Sequence, residues 1–248
     1  MAQLFKLITP AILIMGLTNC GSNESPFVEG GGIINNSGTN IVSEKNFNIA
    51  FDPVRPIVVN ADGERFTGIE VTVIITTADR SGLRTPGVTV YLDVDWGILS
   101  EDSCVTEVID DTSPSQCSIT WRGDANFNQP FFPGDPLVAE DEFITFTGWT
   151  LGEESFIDIN DNGIFDDGDG NAFLNDTTGP FLDINHNDNY DIGTDKVLNP
   201  GNSNGILTPA DTLFNGVNCT HSTLCSATTQ IYISDRAIIP IFEEPAAP

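Results

Sequence analysis

The stretch Val88-Thr89-Val90-Tyr91-Leu92-Asp93-Val94 alternates along its whole length, and Gly97 stops it. A period of two is that of a strand with one buried face, and β-branched residues favour a pleated backbone. The same pattern recurs outward from this point. Ile69-Glu70-Val71-Thr72-Val73-Ile74-Ile75 precedes it, across turn chemistry that includes Ser81-Gly82 and Pro86-Gly87. Cys117-Ser118-Ile119-Thr120-Trp121, Phe143-Ile144-Thr145-Phe146-Thr147-Gly148-Trp149, Gln230-Ile231-Tyr232-Ile233 and Ala237-Ile238-Ile239 follow it, while Phe47–Phe51 and Ile57-Val58-Val59 supply earlier strands. Short strands separated by turns about every 8–12 residues predict an all-β protein built as a sandwich of two sheets.

Composition narrows what such a sandwich does. The 248 residues carry 36 acidic and 9 basic side chains, a net charge of -27. A surface of that sign repels phosphate, which argues against a nucleic-acid partner and against an anionic membrane face as the main target. Hydrophobic content of 40% with 16 Phe and 3 Trp is enough for a core.

The first residues read as an address. Lys6 is the only charge in residues 1–18, and Leu7–Leu17 is apolar except for Thr9 and Pro10. That run is shorter than the ~20 residues of a bilayer span but suits the core of a signal peptide. It ends in Leu17-Thr18-Asn19-Cys20. This resembles the bacterial lipobox, and the resemblance implies a signal peptide over residues 1–19 and lipidation of Cys20. The anchor would then hold the chain to a membrane, and Gly21 after the cysteine implies the outer membrane, at the cell surface. An ordinary secreted protein with Cys20 in a disulfide is the rival reading. Residues 20–40, with Gly30-Gly31-Gly32 and Asn35-Asn36-Ser37-Gly38, read as a flexible tether. Setting Cys20 aside leaves Cys104, Cys117, Cys219 and Cys225, an even number that suits an oxidising compartment. Pairing of near neighbours, Cys104–Cys117 and Cys219–Cys225, is expected. A zinc site is the weaker alternative, since no C-x-x-C occurs. Residues 241–248, rich in Pro and Ala, read as a disordered tail.

Gly68–Leu99 resembles the bacterial Ig-like domains of the intimin and invasin group. The resemblance rests on Val71-Thr72-Val73, Pro86-Gly87-Val88-Thr89-Val90-Tyr91-Leu92 and Gly97-Ile98-Leu99, and Ser118–Trp121 and Phe143–Thr147 fit later strands. It implies an immunoglobulin-like β-sandwich over residues 41–240, in an exported, often adhesive surface protein, with no catalytic residues to carry over.

The chemistry is expected in an insertion at residues 152–226, before the last strand. No Lys or Arg occurs between Arg122 and Lys196, a span holding 17 acidic residues. Such crowding repels itself apart unless a cation sits inside it. A unit also repeats there. Phe156-Ile157-Asp158-Ile159-Asn160-Asp161-Asn162 returns as Phe181-Leu182-Asp183-Ile184-Asn185-His186-Asn187, and a worn third copy is discernible at Asn202–Ile206. Calcium takes six to eight oxygens, and a loop of the EF-hand type offers them at positions 1, 3, 5, 7, 9 and 12. In the first copy these are Asp158, Asn160, Asn162, the carbonyl of Ile164, Asp166 and Asp169, with Gly163 at the sharp turn. In the second they are Asp183, Asn185, Asn187, the carbonyl of Asn189 and Asp191. Position 12 there is Thr194, so Asp195, one residue on, is expected to close the loop. These loops resemble those of dockerins and thrombospondin type 3 repeats. Ca2+ is the expected cofactor. Magnesium suits an all-protein cage less well, and a solvated acidic loop leaves the repeat unexplained. The Phe before each first Asp is expected to pin its loop to a core, and the loops are expected to crown one end of the sandwich.

The sequence gives little support for catalysis. No G-x-S-x-G, H-E-x-x-H or Gly-rich phosphate loop occurs, and His186 and His221 are expected to face solvent. Trp96, Trp121 and Trp149 lie in or beside strands and are expected in the core. The function expected is that of a calcium-binding surface lipoprotein acting in adhesion or envelope structure, with an extracellular protein or polysaccharide as ligand. The alternative is a calcium-dependent glycan-acting enzyme or a carbohydrate-binding accessory protein, motivated by abundant carboxylates and aromatics.

Overall fold

The computed structural model describes residues 39–54, 69–110, 112–123, 143–170, 176–198 and 205–240, all within one compact unit, Ile34–Pro248. The signal peptide, Cys20, the tether up to residue 38, the Ile57–Val59 strand, most of the worn third copy and the 241–248 tail lie outside the described residues.

The protein is nearly all β. The strands are β1 (Val42–Ser43), β2 (Phe47–Asp52), β3 (Glu70–Thr77), β4 (Thr89–Val94), β5 (Ile98–Leu99), β6 (Ser103–Val105), β7 (Ser115–Arg122) and β8 (Phe143–Glu153). They continue with β9 (Phe181–Leu182), β10 (Lys196–Val197) and β11 (Ile231–Pro240). A 3-10 turn, Glu44–Asn46, joins β1 to β2.

Two sheets face one another. One runs β2-β3-β7-β5, antiparallel throughout. In the other, β8 is central, with β4 and then β6 on one side and β11 on the other, and β1 joins β8 in parallel. Alternation along the strands decides which residues meet between the sheets. Val71, Val73 and Ile75 of β3, Val90 and Leu92 of β4, and Ile119 and Trp121 of β7 are buried there with Ile144, Phe146, Ile233 and Ile239. Each such burial contributes about 1.5–3 kcal/mol. Cys104 of β6 is bonded to Cys117 of β7, so a covalent link crosses from sheet to sheet.

Trp96 and Trp121 are buried in the core, as expected, while Trp149 is buried outside it, beneath Leu182 and Leu198. Gly97 shows why its position admits no side chain. Its φ is +95°, and an added Cβ would lie 2.2 Å from the Trp121 indole nitrogen and 2.7 Å from the Arg122 carbonyl oxygen.

Two expectations are corrected. The strands expected at Gln230–Ile233 and Ala237–Ile239 are one strand, β11, paired with β8 without a break from Ile231↔Gly152 to Pro240↔Phe143. Ser234-Asp235-Arg236, between the two stretches, stays extended and paired. The Asp235 carboxylate accepts the Ile49 N–H of β2 at 3.0 Å, so this polar residue has an edge donor to satisfy it. Burial pushes its carboxyl above the ordinary value.

The second correction concerns the insertion. β8 and β11 are neighbours, yet the loops between them do not share one end of the sandwich. The first follows Glu153, at the end where β1 ties the sheets together: Ser43 pairs with Glu153 and donates its N–H to Ala78 at 3.0 Å. The second lies over the outer face of the five-stranded sheet. Its Leu182 and Leu198 cover Trp149, and its polar side chains reach Asp93 and Asp95 beyond the middle of β4. The connection is long enough to cover a sheet face, and a half-apolar outer face rewards covering.

Candidate metal centre

Each repeat folds as a ring of side-chain oxygens turned onto backbone N–H groups. In the first loop the Asp158 carboxylate accepts the N–H of Asn162 (3.1 Å) and of Gly163 (2.7 Å). The Asn162 side-chain oxygen accepts Ile164 N–H at 2.7 Å, an Asx turn that sets the Ile164 carbonyl. Asp169 closes the ring: Oδ1 accepts Ile159 N–H (2.8 Å) and Oδ2 accepts Asp166 N–H (3.0 Å). Gly163 has φ +72°, the left-handed turn that a Gly at position 6 allows.

The second loop repeats this frame bond for bond. Asp183 accepts the N–H of Asn187 (3.3 Å) and Asp188 (2.8 Å), and Asn187 Oδ1 accepts Asn189 N–H (2.8 Å). Asp188 takes the left-handed turn with φ 62°. Asp195 Oδ1 accepts Ile184 N–H (2.9 Å), and Oδ2 accepts Asp191 N–H (2.7 Å). Asp195 therefore stands where Asp169 stands in the first copy, despite the extra residue before it. Thr194 is absorbed in a turn, with its N–H on the Asp191 carbonyl at 3.1 Å.

The position-9 carboxylates are treated alike. Asp166 receives the amide nitrogens of Asn160 (3.2 Å) and Asn162 (2.8 Å). Asp191 receives those of Asn185 (2.8 Å) and Asn187 (2.6 Å). These amide hydrogen bonds hold both carboxyls below their ordinary range. Gly168 permits this closeness, since a Cβ there would lie 2.7 Å from the Asn160 amide nitrogen and 2.8 Å from Asp166 Oδ1.

Among the described residues, no three His, Cys, Asp or Glu side chains gather tightly enough to hold an ion as they stand. The amides lie between the carboxylates, with nitrogen toward Asp166 and Asp191. Oxygen and nitrogen trade places on a half-turn about the last torsion of Asn. An oxygen-facing ring would leave acceptors opposed to one another, an arrangement that a bound cation relieves. The donor set, carboxylate and amide oxygens with a backbone carbonyl, suits a hard cation such as Ca2+. One atom favours that reading directly: Asn185 Oδ1, at position 3 of the second loop, is buried without a hydrogen-bond donor.

The repeated aromatics pair within each unit. Phe156 packs on Phe165 at 5.3 Å between centroids, and Phe181 on Tyr190 at 5.7 Å. The first pair pins its loop to a satellite cluster beside the sandwich core rather than to the core itself, whereas in the second unit Leu182, not Phe181, joins the cluster with Trp149 and Leu198. Phe156, Phe165 and Phe214 form one such cluster.

Sequence reasoning missed the two arginines that meet these aromatics. Arg80, in the β3–β4 connection, lies 5.2 Å above the Phe156 ring, pairs with buried Glu153 and donates to the carbonyls of Gly163 (3.3 Å) and Val217 (2.8 Å). Arg236 of β11 lies 5.2 Å above Phe181 and donates to Asp183 (2.7 Å) and Asp188 (2.8 Å). Their only sequence signal is scarcity: a chain with 9 basic residues places two of them on the repeated unit.

His186 is exposed, as expected, whereas His221 is not. His221 is buried, its ring stacked 5.2 Å from Phe165, and Nδ1 faces the N–H groups of Thr223 and Leu224 at 3.2 Å. His186 bonds to Asp95 at 2.8 Å. Burial pushes the Asp95 carboxyl up, and the bond to Asp95 pushes His186 up. Cys219 and Cys225 are bonded, as expected, and the hook they close donates Thr220 and His221 N–H groups to the Phe165 carbonyl.

No protein-family model matches the chain. No curated protein and no solved structure matches it either.

Proposed function

We propose that this protein is a calcium-binding, non-catalytic surface lipoprotein with an Ig-like sandwich, acting in bacterial adhesion or envelope structure. The observation that carries the reading is the equivalence of Asp169 and Asp195. Two copies of different length rebuild one oxygen ring, with the same N–H groups on the same carboxylate oxygens. Solvated acidic loops have no reason to converge in this way. Strand order supports the Ig-like part. If β2, β3, β4, β5, β7, β8 and β11 are lettered A to G, the sheets read A-B-E-D and C-F-G, the order of constant-type immunoglobulin domains. Lipidation at Cys20 and an outer-membrane location rest on the leader alone.

Thermal unfolding of the purified protein in chelator and across a calcium titration tests the metal. Extracellular calcium modules have dissociation constants of ~0.1–1 mM. At tenfold excess, one such site raises stability by about 1.4 kcal/mol. The rise is expected with calcium, not magnesium, and is expected to shrink in Asp158→Ala. A transition indifferent to calcium would sink the reading.

A carbohydrate-binding role is the second reading, and one cleft favours it. Tyr91, Tyr232, Leu151, Thr89 and Gln230 help line an open hollow of about 300 Å³ with no charged residue among the described residues of its wall. In a chain of net charge -27, an uncharged aromatic cleft suits a neutral, hydroxyl-bearing ligand. A glycan array with Tyr91→Ala and Tyr232→Ala as controls separates the two readings.

A further inference from the structure

We infer that Arg236 is a resident cation for the second loop, so that this loop holds its form without metal and takes calcium more weakly than the first. The inference rests on the calcium reading above and concerns how the two sites divide the work.

The two arginines occupy matching places, each above the Phe that precedes its loop, but they spend their charge differently. Arg80 gives its charge to Glu153 and touches the first loop only at the Gly163 carbonyl. Arg236 binds two carboxylates of the second loop, and one of them, Asp183, is the first ligand position. Asp183 is fully buried, so its charge needs a partner at all times. The guanidinium bonds to Oδ2, the oxygen that also accepts Asp188 N–H, and Oδ1 keeps only the longer bond from Asn187. Asp158, the equivalent residue, carries the same two backbone bonds, and among the described residues no basic side chain pairs with it. Asp167 of the first loop stands 3.5 Å from His221 Nδ1, but the N–H groups of Thr223 and Leu224 already donate to that nitrogen.

Two consequences follow from Coulomb's law. A fixed positive charge on position 1 repels an arriving dication, which lowers affinity at the second loop by about tenfold or more. The same charge relieves repulsion among Asp183, Asp188, Asp191 and Asp195 when no metal is bound. The first loop lacks that relief, so its order depends on the ion.

Hydrogen exchange on the full wild-type chain reads the division directly. In chelator, the N–H groups of Ile184, Asp188 and Asp191 are expected to be protected at least tenfold more than those of Ile159, Gly163 and Asp166. Calcium is expected to protect the first-loop set at lower concentration. Calorimetric titration of calcium into the wild type and Arg236→Gln supplies the second arm. The weaker class of sites is expected to tighten by about tenfold in the variant, with the stronger class unchanged. Equal protection of the two loops in chelator, or two classes of equal affinity in the wild type, overturns the inference. So does an Arg236→Gln protein whose second class weakens, because Arg236 then only orients Asp183. A wild type that binds no calcium at all defeats the calcium reading itself, an outcome distinct from these. Should Arg236→Gln fail to fold, the exchange measurement on the wild type decides alone.

Discussion

The first loop and the second loop share a hydrogen-bond frame and differ in what holds that frame to the sandwich. Around Asp158–Asp169 the props are aromatic, covalent and buried: the Phe156–Phe165–Phe214 cluster, the Cys219–Cys225 hook and the Arg80–Glu153 pair. Around Asp183–Asp195 an apolar contact, Leu182 and Leu198 on Trp149, is joined by ionic props: Arg236 on buried Asp183 and exposed Asp188, Lys196 on Asp93, and His186 on Asp95. The repeated residues therefore encode the inside of each loop, while the non-repeated surroundings encode its attachment. Buried pairs leave an uncompensated charge when broken, and exposed pairs do not. Loss of a buried prop of the first loop should accordingly cost far more than loss of an exposed prop of the second.

The largest effect expected is that of Arg80→Ala. Glu153 is fully buried, and removing its partner should cost about 3–5 kcal/mol in urea unfolding. A loss as small as that of an exposed pair would break the comparison. Replacing Cys219 and Cys225 together by Ala should cost about 2 kcal/mol, since the closed loop is short. Hydrogen exchange should then rise at Phe165 and Thr220 and stay unchanged at Ile184 and Asp191. Next is a pH dependence from a carboxyl on the first loop's side. Burial, with Asp176 and Glu44 adding to it, pushes the Glu154 carboxyl up to about 7. The folded state then binds the proton more tightly than the unfolded chain, whose value is near 4.5. Stability from this group is full below pH 4.5 and falls as pH rises to about 7. Glu154→Gln should flatten that fall in a series of unfolding curves across the window. The smallest effect is Lys196→Ala at the second loop. Lys196 is 61% exposed, and its pair with Asp93 should contribute less than about 1 kcal/mol and fade in high salt.

Much of the sandwich was legible because alternation is a local signal. Val71, Val73 and Ile75, and then Val90 and Leu92, announce a buried face without help from anything distant. β11 was misread because Ser234, Asp235 and Arg236 are polar for reasons outside the strand: Asp235 answers an N–H of β2, and Arg236 answers two carboxylates of the insertion. β5, β6, β9 and β10 are too short to show a period. The oxygen frame of each loop was legible down to Asp195, because every bond in it spans a dozen residues or fewer. The placing of the loops was not, since it depends on Arg80, Arg236, Asp93 and Asp95, which carry no mark of their partners.

The long pairing of β8 with β11 also bears on how fast the chain folds. The two strands bond from Gly152↔Ile231 to Phe143↔Pro240, and the whole connection from residue 154 to residue 230 must close before that ladder can grow. The entropy of closing such a loop rises only by about 0.6 kcal/mol for each doubling of its length, but contacts this distant in sequence slow the search. Each repeat closes within itself first, through bonds between residues about ten apart such as Ile159 with Asp169 and Ile184 with Asp195. A connection that has already drawn itself together twice is a shorter one to close. Whatever orders those two rings early in the search would then speed the arrival of the last strand.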